Sequence, residues 1–255
     1  MALFREQLKY FRRWLKAPFV LFFGEVKRHT LNIITPKLKL PDSPKSIPVI
    51  INNFNRLEYL QKLITWLEEA GMTNIIILDN ASTYPPLLEY YKNTVHRVIF
   101  LGRNVGYLAL WEAGIFEEFR NDFYIYTDPD ILPTEDCPKD FIDVFLEILA
   151  KNADVKKVGF SLKIDDIPDF YKRKADVLAI ENTYWKRKRS ENTFDAPIDT
   201  TFALYRPKAY GDHQTKALRI APPYSARHLP WYVDSDNLPE EEKFYANLAS
   251  DSNTW

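Results

Sequence analysis

What this chain has little of narrows its chemistry first. It holds a single cysteine, Cys137, among 255 residues, so an internal disulfide and a cysteine-rich zinc site are both excluded, and a reducing compartment suits it. The four histidines, His29, His96, His213 and His228, are scattered and show no zinc-protease spacing. Glycine is scarce, with only 7, and none stands in a Gly-x-Gly-x-x-Gly fingerprint, a Gly-Lys-Ser/Thr phosphate loop or a Gly-x-Ser-x-Gly elbow. Dinucleotide-dependent dehydrogenases, P-loop enzymes and α/β-hydrolases are thereby disfavoured. Charge of one sign is missing too: 34 Lys and Arg stand against 35 Asp and Glu, so no global field draws in nucleic acid, which is not an expected partner. No stretch approaches the ~18–20 apolar residues that span a bilayer. The longest apolar run near the start, 18–23, ends at Gly24-Glu25 without a small-residue cleavage site and does not read as a signal peptide.

What remains is a chain 46% apolar, 27% charged and rich in aromatic residues at 15%, a composition for one folded α/β domain with a sizeable core. Residues 1–34 stand apart. Phe4, Leu8, Phe11, Leu15 and Phe19 recur at helical spacing with Arg5, Lys9, Arg12, Arg13 and Lys16 between them. An amphipathic basic helix of this kind suits the headgroup region of an anionic membrane. The alternative is a helix packed on its own domain or on a second copy, which would make a homodimer. Residues 35–46, with Pro36, Pro41 and Pro44 among lysines, read as an extended linker, and the globular domain runs over 47–255.

From residue 47 short apolar runs alternate with helical patterns. Strands are expected at 47–52, 74–78, 97–101, 123–127 and 155–162, with later ones at 200–205 and 217–221. Helices are expected at 56–70, 85–91, 104–119 and 137–150, whereas 171–189 and the Pro222-Pro223 region read as loops. Such alternation implies a mainly parallel sheet with helices on both faces, and ligands of such sheets bind beyond the carboxyl ends of the strands.

The residues at those ends carry the chemistry. The fourth strand runs into Asp128-Pro129-Asp130, two carboxylates bracketing a proline, hard oxygen ligands that suit Mg²⁺ or Mn²⁺. Such a cation would neutralise a departing diphosphate. Acidic pairs beside a proline turn are common, so the pair is weak evidence by itself. It follows Asn52-Asn53-Phe54-Asn55-Arg56 after the first strand, Asp79-Asn80-Ala81-Ser82-Thr83 after the second, and Gly102-Arg103-Asn104-Val105-Gly106 after the third.

In this order and spacing the set resembles the GT-A glycosyltransferases of the large family-2-like group, well over about 47–135 and loosely to about 232. The resemblance implies a GT-A (Rossmann-like) fold whose nucleotide-sugar half spans about 47–135 and whose acceptor half spans about 136–255. It implies transfer of a sugar from a nucleotide-diphosphate donor, a UDP-sugar as first guess, with inversion. Asn53 and Asn55 would then lie beside the nucleotide, with Arg56 also on the donor side. Asp79 would bond the base or ribose. Arg103 and Asn104 would lie near the donor, with Gly106 allowing close backbone approach. Asp128 would contact ribose or donor sugar and take part with Asp130, the metal ligand. The turn after the first strand departs from the Pro-Thr-Tyr-Asn type of many relatives, which leaves the base open. Local readings stand beside these roles: Asp79 as an Asx turn, Asn104 as a helix N-cap, Arg103 as a solvated charge.

On the acceptor side an inverting transferase needs a general base. Asp199, heading a late apolar strand, is the first candidate, with a turn-capping aspartate as the alternative; Asp234, Asp236 and 240–242 follow, the three glutamates also fitting the first turn of a helix. His228 is a candidate further metal ligand or a structural histidine, and Arg227 a candidate diphosphate contact. Tyr184, Trp185 and Arg187, within an aromatic and basic stretch, suit a glycan or lipid-linked acceptor, or simply form a solvated loop. A chain of this kind is expected in the cytoplasm, peripheral at the inner face of a membrane, in bacterial-type surface polysaccharide or glycoconjugate assembly. The other classes weighed are a catalytically silent sugar-nucleotide-binding module and a sugar-phosphate nucleotidyltransferase. The latter lacks its glycine-rich loop here.

Overall fold

The computed structural model describes residues 38–211 and 214–248. The amphipathic helix expected over 1–34 and the start of the linker lie outside the described residues; the rest of the linker ends in a 3-10 turn at Pro44–Ser46. No helix among the described residues is long and apolar enough to cross a membrane.

Nine strands form one sheet in the order β3-β2-β1-β4-β8-β6-β9-β5, with β7 also paired to β9. They are β1 (Val49–Asn53), β2 (Ile75–Asp79), β3 (Arg97–Phe100), β4 (Tyr124–Thr127), β5 (Ile131–Pro133), β6 (Lys157–Leu162), β7 (Thr193–Asp195), β8 (Ala203–Tyr205) and β9 (Ala217–His228). The pairings β1–β2, β1–β4, β2–β3 and β6–β9 are parallel, and β8 runs antiparallel between β4 and β6. Six strands thus share one direction. This mixed, mainly parallel sheet between helices is the α/β architecture expected from the sequence.

The helices cover the sheet because each presents an apolar stripe. α1 (Glu58–Glu69) places Leu60, Leu63, Ile64 and Leu67 on one face, all 4% exposed or less. Burying a leucine in this way stabilises the fold by about 1.5–3 kcal/mol. The helix stops at Gly71, whose φ of 78° only glycine adopts without strain; its N–H bonds the Glu68 carbonyl while that of Met72 returns to Leu67. α5 (Phe141–Lys151) packs on the same sheet face as α1 through Phe141, Phe145 and Leu149. The opposite face carries Ile50, Ile76, Leu78, Tyr124 and Tyr126 around Trp111.

Three expectations meet corrections. The helix foreseen at 104–119 is two short ones, α3 (Ala109–Glu112) and α4 (Phe116–Phe119), because Gly106 and Gly114 take φ of 83° and 77° and interrupt it. The stretch foreseen as loop at 171–189 contains α6 (Lys174–Tyr184), which buries only Val177 and Glu181 and so shows almost no apolar period. Pro222 and Pro223 lie inside β9, in the step between Ile220, paired with Phe160, and Ser225, paired with Ser161. Proline offers no N–H to a ladder, and the irregularity leaves both outside it. The short strands β5 and β7 also went unforeseen. α2 (Pro85–Asn93) and the C-terminal α7 (Glu240–Leu248) complete the fold.

Candidate active site

The strand order reverses between β1 and β4: β2 and β3 lie to one side of β1, and the chain then crosses to β4 on the other. A crevice opens at such a point beyond the carboxyl ends of the two strands. Asn53 ends β1, and β4 runs directly into Asp128-Pro129-Asp130.

β5 follows at once and pairs antiparallel with the end of β9, placing Ile131 opposite His228. That ladder carries His228 to Asp130, with Nε2 3.6 Å from the carboxylate Oδ2. Burial holds the imidazole below its usual pKa, opposed by Asp130 and reinforced by Arg56. His228 is therefore neutral near pH 7, the form that can ligate a metal. The same Asp130 oxygen accepts a charged hydrogen bond from Nη1 of Arg56, and Arg56 Nη2 reaches Glu242 Oε2 of α7 at 3.1 Å. Burial opposes the Arg56 charge, but Asp130 and Glu242 outweigh it and hold the guanidinium above its ordinary pKa. Asp128 accepts a 2.6 Å bond from the Thr200 hydroxyl. Burial, then the Asp130 charge, push Asp128 well above the carboxylate range, with Asp199 adding and Thr200 opposing.

The loops after β1, β2 and β3 are tied together by amides. Asn55, at a φ of 54°, uses its carbonyl oxygen to take the N–H groups of Thr83 and Tyr84, and its own N–H goes to Ser82 Oγ. Asn53 donates to the Tyr91 hydroxyl at 2.8 Å, and that hydroxyl donates to Asp79 Oδ1 at 3.1 Å. The other Asp79 oxygen takes the Ser82 N–H. Asn52 and Asn80 both donate to the Gly106 carbonyl, and Asn104 accepts the Gly106 N–H in a local turn. Arg103 and Gly106 are exposed at the mouth. The structure thus gathers Asn53, Asn55, Arg56 and Asp79 beneath the crevice as buried groups, and leaves Arg103, Asn104 and Gly106 at its rim.

On the far side of Asp128 the segment 197–200 is held at both ends. Arg219 Nε donates to the Pro197 carbonyl at 2.9 Å, and Thr200 bonds Asp128. Exposed Asp199 lies between, its charge felt by both Asp128 and Tyr184. Arg219 also pairs with Glu181 at 2.6 Å and lies 4.3 Å from the Tyr184 ring centroid. Trp185 packs on Phe194 at 4.9 Å, and Arg187 is exposed. Arg227 points elsewhere, committed to Glu135 and Asp166. Thr200, Tyr91 and Arg219 escaped the sequence reading as site residues, and Glu242 entered it only as a runner-up base.

Among the described residues, eleven buried side-chain polar atoms lack a hydrogen-bond partner, and seven belong to this cluster. Asn52 Oδ1, Asn53 Oδ1 and Asn55 Nδ2 lie at the end of β1 and just beyond it, and Asp130 Oδ1, His228 Nδ1 and Glu242 Oε1 belong to the residues around Arg56, whose Nε is the seventh. Folded proteins leave few such atoms, so their concentration at one sheet mouth marks a place for a polar ligand. No group of three or more His, Cys, Asp or Glu among the described residues forms a complete metal cage. Asp130 and His228 do fit a cation that takes one or two protein ligands and fills its shell with water and substrate phosphates, as Mg²⁺ and Mn²⁺ do.

No protein-family model and no curated protein matches the chain. Solved structures do match. Glucosyl-3-phosphoglycerate synthase from Mycobacterium tuberculosis, in complex with phosphoglyceric acid, is similar with a TM-score of 0.41 at 13% identity; the match covers 64% of this chain and 57% of that one. Its complex with Mg²⁺ and uridine diphosphate gives 0.41 at 14% over the same shares. A further mycobacterial protein gives 0.40 at 13%, covering 77% of this chain and 69% of that one. The chain thus spans little more than half the length of the synthase. At this distance the likeness carries no chemistry across, and the assignment of function rests on the residues above.

Proposed function

We propose that this chain is a metal-dependent glycosyltransferase that moves a sugar from a nucleoside-diphosphate donor, a UDP-sugar as first choice, to a hydroxyl of a glycan or lipid-linked acceptor. One observation carries the reading: the switch-point crevice collects Asp128, Asp130 and His228 together with a cluster of buried, unpartnered polar atoms.

Each residue has a task. Asp130 and His228 hold Mn²⁺ or Mg²⁺, which when bound supplies charge neutralisation for the leaving diphosphate. Asn53, Asn55 and Asp79 shape the nucleotide side, Arg56 lies beneath it, and Arg103, Asn104 and Gly106 line the rim. Asp128, held by Thr200, orients ribose or donor sugar. Asp199 takes the proton from the acceptor hydroxyl as that oxygen attacks the anomeric carbon, giving inversion. Its exposure and its place between Asp128 and Tyr184 support that role. Tyr184, Trp185 and Arg187 flank the acceptor. The basic aromatic pattern of residues 1–34 supports peripheral docking at an anionic inner leaflet, in surface polysaccharide or glycoconjugate assembly, with a homodimer as a second use of the same segment.

Donor hydrolysis tests the reading. Purified protein with a panel of UDP-, GDP-, CMP- and dTDP-sugars, in Mn²⁺ or in EDTA, should release one nucleotide slowly and only with metal. Asp130→Asn should abolish the release. Binding of a nucleotide sugar without turnover, even with lipid-linked acceptors added, would make the chain an accessory binding module; no binding at all would end the assignment.

A further inference from the structure

We propose that Arg56 is a positioning residue for the metal carboxylate, and that the C-terminal helix α7 completes the metal centre by holding Arg56 through Glu242. The inference deepens the glycosyltransferase reading and rests on it.

The geometry confines the guanidinium on three sides. Nη1 is bonded to Asp130 Oδ2, Nη2 lies 3.1 Å from Glu242 Oε2, and Cζ lies over the Tyr245 ring, 3.9 Å from its centroid. With a side chain only 6% exposed, Arg56 cannot swing out to a diphosphate without leaving two buried carboxylates unpaired. Its effect falls on Asp130. A free carboxylate pivots, but one whose Oδ2 is tied presents Oδ1 in a single direction, and Oδ1 is the buried oxygen left without a partner. Metal-ligating carboxylates are oriented by outer partners of this sort. A planar guanidinium suits the task because it forks between two carboxylates at fixed angles.

Charge points the same way. Two buried carboxylates, Asp130 and Glu242, face the single guanidinium of Arg56 and share its charge. Without Arg56 the buried Asp130 and Glu242 carboxylates would lose the cation they share, and Glu242 could no longer orient the partner of Asp130.

α7 is attached to the loops of this crevice. Glu241 caps the start of α1, taking the N–H groups of Leu57 and Glu58 at 2.9 and 3.1 Å. Phe244 meets Tyr84 at 5.0 Å in the segment after β2, and Tyr245 meets Phe54 at 6.0 Å in the segment after β1. Docking of α7 and orientation of Asp130 are therefore one event, linked through Arg56.

The rival role for Arg56 is a stand-in cation that a metal displaces, and it predicts the opposite sign. Mn²⁺ binding by the full chain, read as loss of the free-ion electron paramagnetic resonance signal with and without UDP, separates them. Glu242→Gln and Arg56→Lys should each weaken Mn²⁺ by roughly 10–100-fold, the range seen when outer partners of metal ligands are removed. Glu58→Gln, which removes an exposed charge from the same helix start, should leave the affinity within twofold. If Arg56→Lys does not fold, Glu242→Gln carries the test alone. Unchanged or tighter Mn²⁺ binding in a folded Glu242→Gln protein overturns the proposal while leaving the enzyme assignment standing. A wild-type chain that binds neither Mn²⁺ nor UDP overturns both.

Discussion

Tyr91→Phe isolates one hydroxyl at the base of the candidate nucleotide site. The ring is 8% exposed and stays in place in the variant, packed against Phe100 at 5.7 Å, so no cavity larger than an oxygen forms. The lost hydroxyl accepts from Asn53 at 2.8 Å and donates to Asp79 at 3.1 Å. A hydrogen bond to a charged group contributes about 1.5–3 kcal/mol, and a buried donor left unsatisfied costs about 1–3 kcal/mol. The Asn53 amide has no second bond to fall back on, because its Oδ1 is already unpartnered. Partial relaxation and entry of a water trim the sum, giving an expected loss of about 2–3 kcal/mol. Urea unfolding should show the midpoint fall with an unchanged slope, and the melting temperature should drop by roughly 5–10 °C for a domain of this size. Nucleotide affinity, measured by calorimetry, should fall several-fold, since Asp79 loses the donor that orients it. Tyr124→Phe is the control: its hydroxyl donates to the Ala209 carbonyl, far from the crevice, so about 1 kcal/mol should go with affinity intact. A loss below about 0.5 kcal/mol in Tyr91→Phe, with unchanged nucleotide binding, would refute the network as drawn.

Two further perturbations probe other parts of the molecule. Burial pushes the Asp154 carboxyl up, but Arg189 and Lys216 outweigh it and hold it at about 2. A folded pKa below the unfolded value of about 3.9 adds stability that is complete above pH ~4 and is lost as pH falls from about 4 through about 2. Discounted for solvent screening, Asp154→Asn should cost about 1 kcal/mol at pH 7 and almost nothing at pH 2, as urea titrations at the two pH values would show. Arg219→Met leaves Glu181 buried and unpaired and should cost roughly 3 kcal/mol; adding Glu181→Met should recover most of that stability. Transfer should stay at least tenfold below wild type in the double variant, because the Pro197 carbonyl and the loop bearing Asp199 lose their tether. Full activity in it would remove Arg219 from the acceptor side.

The sequence by itself determined the layered α/β class and the position and type of most elements up to residue 162, because each short apolar run and each helical stripe is a local pattern with its own period. It also marked the strand ends as the place to look, since acids, amides and a proline there serve no core. Pairing across the chain was not legible. Nothing local says that His228 lies beside Asp130; the β5–β9 ladder decides it. Nothing local says that Arg56 is locked between Asp130 and Glu242; the docking of α7 decides it. α6 was missed because it buries little and so has little period, and the prolines of β9 misled because a step in the ladder excuses their missing donors. Local propensity and patterning are written residue by residue, whereas the meeting of distant polar groups exists only once the sheet has closed and excluded water from them. Only the tertiary structure turned a set of candidate residues into one crevice.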